Sequence, residues 1–334
     1  MIRARAWCRV DLAGGTLDIW PLSILHPGGV TVNVAVDLPV EVGLERREKG
    51  YVVHQDGEKV EAETTAELRA DPSTALIGVV LEALEVPPVE VEIASASPRG
   101  AGLGASSALA IALLVAAERL LGLPESSPER RAAVARDLEA RLMCLPTGVQ
   151  DHYPAMLGGA LRISYELGGE TARPLTVDLD RLGRHLVIAY TGKSHFSAAK
   201  NWQVICRRLE GQERERKLFD GIAEVAAQAA SALEEGDLEA VGGLLDREWS
   251  LRRQLAEGIS TAEVEAVLSA GREAGAWGGK ACGAGGGGSV VLLAPEKKRR
   301  AVAEAVEKAG GRVLDALPTG EPLQVSVSEE LLPR

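Results

Sequence analysis

Pro98-Arg99-Gly100-Ala101-Gly102-Leu103-Gly104-Ala105-Ser106-Ser107 is the stretch on which the reading of this chain turns. It follows an alternating apolar run, Val89–Ala94, and precedes Ala108–Leu121, which is apolar around nearly its whole circumference. The first pattern predicts a strand and the second a helix buried on all sides. Glycines at that junction let backbone amides approach an anion with no Cβ in the way, and the positive end of the helix dipole adds attraction. Ser106 and Ser107 can cap the helix or offer hydroxyl oxygens to a cation such as Mg²⁺. A plain glycine turn with a serine cap would use the same residues, so the spacing of the glycines alone leaves both readings open. No Gly-Lys-[Ser/Thr] ends the loop, so it is not a Walker A loop, and it does not spell the dinucleotide GxGxxG.

Toward the N-terminus, Thr31–Leu44 alternates as a strand, and Tyr51–Val53 turns through Asp56-Gly57 toward Val60 as a hairpin. Ser73–Leu84 has helical spacing, with Ser73 as its N-cap and Pro87-Pro88 as its stop. Toward the C-terminus, Pro128–Met143 reads as an amphipathic helix. From Leu186 the texture changes to a strand, charged helices between about Ser197 and Gly275, then strand, helix and two strands. A length of 334 residues suits two domains, and the change in texture places them at 1–181 and 182–334.

Lys and Arg number 37 against 48 Asp and Glu, a net charge of −11, which disfavours nucleic acid or an anionic membrane surface as partner. Met1–Val10 lacks the apolar run of a secretory signal, and the apolar helix after Ser107 is broken by Glu118 and Arg119. A cytoplasmic enzyme is expected. Cys8, Cys144, Cys206 and Cys282 stand far apart with no CxxC pair, and read as reduced thiols.

Two further segments carry chemistry. Arg9-Val10-Asp11-Leu12-Ala13-Gly14-Gly15-Thr16-Leu17-Asp18 follows the first strand, and Gly279-Lys280-Ala281-Cys282-Gly283-Ala284-Gly285-Gly286-Gly287-Gly288 runs into the apolar Ser289–Leu293. A flexible linker would not join directly to a buried strand. Gly283, Gly285 and Gly288 spell GxGxxG, but a strand follows where a dinucleotide fold requires a helix. The combination Pro-x-x-x-Gly-Leu-Gly-x-Ser-Ser-Ala, with these two segments in order on either side, resembles the GHMP kinases, the family of galactokinase, homoserine kinase, mevalonate kinase and phosphomevalonate kinase. The first segment looks most like the branch acting on heptose 7-phosphate or fucose, although that branch has one more glycine before the threonine.

The resemblance implies an α+β fold, with an N-terminal domain of the ribosomal-protein S5 domain 2 type and a C-terminal ferredoxin-like domain with extra helices. It implies ATP and Mg²⁺ as cofactors, with phosphates on Pro98, Gly100, Gly102, Leu103, Gly104, Ala105, Ser106 and Ser107. Thr147-Gly148-Val149-Gln150-Asp151-His152 resembles the family's Gly-x-x-Asp-Gln element, which makes Asp151 the group that orients and deprotonates the acceptor hydroxyl, with Arg9 holding it ionised. Glu139, twelve positions upstream, matches the Mg²⁺-binding glutamate and is paired here with Ser106 or Ser107. Gly15, Thr16, Asp18, Asp151, His152, Gly285 and Gly286 are the expected acceptor-binding residues. Plainer readings exist for each carboxylate: a turn cap for Asp18, a loop cap for Asp151 and a solvated helix face for Glu139. Thr191-Gly192-Lys193-Ser194-His195 resembles a Thr-Gly-x-Ser stretch that could touch the substrate. The expected partner is a small sugar or sugar phosphate, converted to a sugar 1-phosphate, with a homodimer as the assembly left open. The alternatives are a mevalonate- or homoserine-type kinase and a non-catalytic regulator that binds sugar and ATP.

Overall fold

The computed structural model describes residues 1–192, 198–283 and 285–327. Among the described residues, twelve strands run as β1 Ile2–Ala13, β2 Val30–Arg46, β3 Tyr51–Gln55, β4 Glu58–Ala62, β5 Val89–Ser95, β6 Ala160–Glu166, β7 Gly169–Pro174, β8 Leu186–Tyr190, β9 Gly278–Ala281, β10 Ser289–Leu293, β11 Arg312–Val313 and β12 Gln324–Val327. The long helices are α1 Ala105–Leu121, α2 Pro128–Met143, α3 Ala198–Leu209, α4 Glu213–Glu235, α5 Leu238–Arg252, α6 Ala262–Glu273 and α7 Glu296–Lys308. None of the described helices is long and apolar enough to cross a membrane.

Two sheets organise the molecule. The first has eight strands, ordered β12-β1-β2-β5-β3-β4, with β6 paired to β2 and β7 to β6; the second has four, ordered β11-β8-β10-β9. All pairs are antiparallel except β3 with β5. This is the expected α+β arrangement. The last strand returns from the second half of the chain to pair with β1, from Ile2 opposite Val327 to Arg5 opposite Gln324.

Local patterns account for the elements that hold the site. In β1, Arg3 and Arg5 alternate with buried Ile2 and Ala4, but from Ala6 onward every residue is buried. Both faces are covered there because α1 packs against β1 and β2, and Ala226 and Ala229 of α4 close over Ala13 and Val30. Small alanines allow the close approach. Helix α1 is buried along most of its length, as its sequence predicts, because it lies on the first sheet. The helix expected at Ser73–Leu84 instead spans Ala75–Ala83 behind Thr74; the Ser73 hydroxyl and amide both turn back to Asp71 Oδ1, at 2.7 and 2.8 Å. The run expected as a glycine loop from Gly279 begins in strand: β9 takes Gly279, Lys280 and Ala281, because a side chain at Gly279 would strike the Val291 carbonyl of its neighbour.

Candidate active site

The glycine loop that contains Gly100, Gly102 and Gly104, expected to hold phosphate, lies along a cleft of about 560 Å³. Three consecutive carbonyls of the loop are held by donors from outside it. Ser289 N donates to Ala101 O at 2.7 Å, Arg9 Nη1 to Gly102 O at 2.7 Å, and Arg9 N to Leu103 O at 2.9 Å. Peptide planes fixed this way turn their amides toward the opening. Gly100, Gly102 and Gly104 all have positive φ, between 67° and 75°, which glycine adopts freely. Helix α1 starts behind Gly104 with no side-chain cap, so neither Ser106 nor Ser107 caps it. The amides of Gly102 through Ser107 have no backbone partner among the described residues, which is the donor set an anion at a helix start requires.

Facing the loop, Asp151 occupies the N-cap position of the helix His152–Leu157, yet its carboxylate makes no cap bond. Instead Oδ1 accepts from Arg9 Nε at 2.8 Å and Nη2 at 2.6 Å. Arg9 is buried, with a side chain 3% exposed, while that of Asp151 keeps 24%. Burial opposes the guanidinium charge, but the carboxylates of Asp151 and Asp11 more than reverse this and hold Arg9 charged. The arginine thus joins two parts of the site, the phosphate loop through Gly102 and the carboxylate through Asp151.

Glu139 is not on a solvated face. It is 6% exposed, and its two oxygens accept from Ser107 Oγ at 3.0 and 3.1 Å while Oε2 lies 2.9 Å from His152 Nε2. His152 is fully buried, with Nδ1 3.3 Å from the Val149 carbonyl, so both ring nitrogens face acceptors. Burial disfavours its charged form, but Glu139, Asp151 and that carbonyl raise its pKa.

Asp18 is not a local turn cap either. Its Oδ2 accepts from the Gln150 amide, 132 residues away, at 3.1 Å, and Oδ1 is buried without a partner. A Cβ at Gly148 would collide with this carboxylate, so the glycine is what lets the two segments meet. Burial pushes the Asp18 carboxyl up to about 6, and the nearby charges of Asp151 and Asp11 add to the rise, against the Gln150 hydrogen bond.

Of the expected residues, Arg9, Thr16, Asp18, Gly100, Gly102, Leu103, Gly104, Ala105, Ser106, Ser107, Glu139 and Asp151 all line the one cleft. Five do not. Pro98 starts the loop's first turn, accepting from Ala101 N. Gly15 faces inward, where a side chain would meet Asp11, Gln150 and Arg252. His152 stands behind Glu139. Gly285 and Gly286 pack on Ile259, whose carbonyl accepts from Gly286 N at 2.7 Å, and Gly283 is the member of their loop that reaches the cleft. Lys193, Ser194 and His195 lie outside the described residues.

With the geometry in view, the comparisons are direct. Residues 73–159 match the GHMP kinases N terminal domain and residues 229–312 match GHMP kinases C terminal. A mevalonate kinase of Thermococcus onnurineus is 33% identical over 73% of this chain and 70% of its own. This chain belongs to the GHMP kinase family. A second GHMP kinase, the D-glycero-alpha-D-manno-heptose 7-phosphate kinase of Campylobacter jejuni, is 25% identical over 94% of this chain and 95% of its own. Lactococcus lactis galactokinase, solved with galactose, shares the fold with a TM-score of 0.79 at 16% identity, covering 97% of this chain and 95% of that one. The protein is a kinase, and GHMP kinases use ATP.

Sequence reading missed one part of this GHMP kinase site. Asp11, Glu248, Arg252 and Lys280, each no more than 1% exposed, form a chain of charges beneath the turn Gly14–Asp18. Lys280 Nζ lies 3.1 Å from Asp11 Oδ2 and 3.3 Å from Glu248 Oε1; Arg252 Nη2 lies 2.5 Å from the same Glu248 oxygen. Lys280 was visible only as a member of a glycine-rich run. A charged residue inside such a run, directly before a buried strand, was the available signal.

Proposed function

We propose that this kinase transfers the terminal phosphoryl group of ATP to a hydroxyl of a sugar or sugar phosphate. The observation that carries the sugar assignment is Asp18: a buried carboxylate on the cleft wall whose Oδ1 lacks a donor. A polyol supplies hydroxyl donors to such an oxygen. A carboxylic acid such as mevalonate would bring a further negative charge to a wall that already carries Asp18 and Asp151, with Arg9 committed to Asp151, whereas a neutral sugar brings none and a sugar phosphate would have to direct its phosphate away from this wall.

In the proposed reaction the acceptor oxygen attacks the terminal phosphorus, the bond to ADP breaks, and the hydroxyl proton passes to Asp151. A carboxylate is a weak base toward a free alcohol, so Asp151 takes the proton late, once the oxygen has begun to bond to phosphorus. The amides of Gly102–Ser107 receive the phosphate charge, which is the main task in phosphoryl transfer. Leu76, Leu142, Met143 and Pro146 give the cleft an apolar wall suited to a purine base.

Mg²⁺ fits the donors present. Glu139 and Ser107 supply hard oxygens beside the phosphate loop, with Ser106 next to them. Mg²⁺ usually binds one or two protein groups and completes its shell with phosphate and water. No described cluster of three His, Cys, Asp or Glu side chains could hold a metal without such help. When bound, the ion neutralises charge on the phosphates.

The mevalonate reading has its own support in the 33% identity with the Thermococcus onnurineus enzyme. ATP consumption should be measured with D-glycero-D-manno-heptose 7-phosphate, L-fucose, D-galactose, mevalonate and homoserine as acceptors. Turnover with one of the sugars and none with mevalonate is expected. Turnover with mevalonate alone would replace the sugar assignment, and tight ATP binding with no transfer to any acceptor would favour the regulator.

A further inference from the structure

The turn Gly14–Asp18 carries Asp18 to the cleft, and its shape is unusual. Leu17 N donates to Gly14 O and Ile19 N to Thr16 O, both at 3.1 Å, so two tight turns follow one another. Gly14 has φ +86° and Thr16 has φ +74°. Glycine adopts such angles freely, but a β-branched residue does so only when its surroundings hold it there. Something outside the turn must supply that hold.

Arg252, the last residue of α5, reaches the turn from 236 positions away. Its Nη1 donates to Thr16 Oγ1 at 2.9 Å and its Nη2 to Gly15 O at 2.6 Å. The same guanidinium is held by Glu248 Oε1, at 3.0 Å from Nε and 2.5 Å from Nη2. Glu248 is held in turn by Lys280, which also pairs with Asp11 at the base of the turn. A planar fork of donors can fix a carbonyl and a hydroxyl on adjacent residues together, which a lysine ammonium cannot do in the same way. Arg252 is 1% exposed and does not line the cleft, so it acts through the turn rather than on a ligand.

We propose that Arg252 is a positioning residue for acceptor binding: it locks Gly15 and Thr16 in the turn and thereby aims Asp18 at the acceptor. The proposal rests on the reading that the acceptor binds at Asp18. Arg252 then sets the affinity for the acceptor and leaves the phosphate loop, which is fixed by Arg9 and Ser289, as it is.

The test uses the full-length protein with Arg252→Met and Arg252→Lys. Amide hydrogen exchange without ligand should rise at least tenfold in peptides covering residues 13–20 of the methionine variant, with peptides covering 98–107 unchanged. With the best acceptor from the panel above, kcat/KM for that acceptor should fall at least tenfold while KM for ATP stays within twofold. Arg252→Lys should lie between the wild type and the methionine variant. In an Asp18→Asn background, adding Arg252→Met should change acceptor kcat/KM by less than twofold, since a residue that works through Asp18 has nothing left to aim.

Unchanged exchange at 13–20, faster exchange spread over all peptides, or additive effects in the double variant would each overturn the proposal. If Arg252→Met fails to fold, the lysine variant carries the same measurements, because it keeps the charge beside Glu248. If the wild type transfers phosphate to no sugar, the sugar assignment fails, and the exchange pattern together with KM for ATP still decides the role of Arg252.

Discussion

Asp151, which lines the cleft, receives both Nε and Nη2 of a buried arginine on a single oxygen, leaving Oδ2 outside that ion pair. A carboxylate so placed can take a proton from an acceptor, and its amide counterpart cannot. Asp151→Asn is expected to lower kcat by about 10²–10⁴, the usual weight of a general base, with ATP binding retained; single-turnover transfer from labelled ATP checks it. Asp18 gives a prediction about pH. Its folded-state pKa of about 6 lies above the ~3.9 of an unfolded aspartate. The folded state therefore holds this proton more tightly, and the stability that follows is present below pH ~4 and is lost as pH rises through about 6. Asp18→Asn escapes that loss. Its advantage over the wild type in urea unfolding should be wider at pH 8 than at pH 5, on the order of 1 kcal/mol, while sugar transfer drops. A variant that is stabler and less active would mark Asp18 as kept for function. At this scale the sequence showed Arg9, Asp18 and Asp151 because each sits in a short motif, and Glu139 by its spacing from Asp151. It did not show Arg252 or Glu248, since nothing local marks a charge whose partner lies more than two hundred residues away.

Helix α1 tests the phosphate loop as an element, because it has a left-handed glycine at each end: Gly104 at φ +75° and Gly122 at φ +66°. A Cβ at Gly104 would come within 3.3 Å of Asp151 and 3.4 Å of Arg9 Cγ, while one at Gly122 would meet nothing within 4 Å. Alanine at either position meets the same backbone penalty, roughly 1–2 kcal/mol. Gly122→Ala should therefore lower the melting temperature and leave KM for ATP and kcat near normal. Gly104→Ala should lower the melting temperature similarly and also raise KM for ATP and lower kcat, because its methyl presses on the Arg9–Asp151 pair. Equal kinetics for the two variants would refute the role given to the loop. The loop and helix were legible because glycine spacing and an unbroken apolar run are local signals. Neither the serines nor Gly285 and Gly286 could be placed that way. Whether a serine caps or faces the cleft depends on where the preceding glycine turns, and Gly285 is directed by contact with Ile259.

The molecule as a whole is joined across its two sheets. Strand β12 pairs with β1 at one side, and one apolar cluster takes in Val10 and Val34 as well as Leu233, Val241 and Val291. The buried charges cross the same ground: Asp11 comes from β1, Glu248 and Arg252 from α5, and Lys280 from β9. These four residues are two acids and two bases, so removing Lys280 leaves an acid without its partner. Glu248 would keep Arg252 if Lys280 were lost, whereas Asp11 would keep no ion pair among those described. Breaking a buried pair from one side costs about 3–5 kcal/mol, a large share of the 5–15 kcal/mol that typically separates folded from unfolded protein. Lys280→Met should thus shift unfolding strongly to lower denaturant. Adding Asp11→Asn should restore at least half of the loss, since the isolated charge is then gone. Because core and charges span both sheets, unfolding followed by tryptophan fluorescence and by far-ultraviolet circular dichroism should give coincident curves in the wild type and in both variants. Two separated transitions would mean that the two sheets unfold independently and that the charge chain does not couple them.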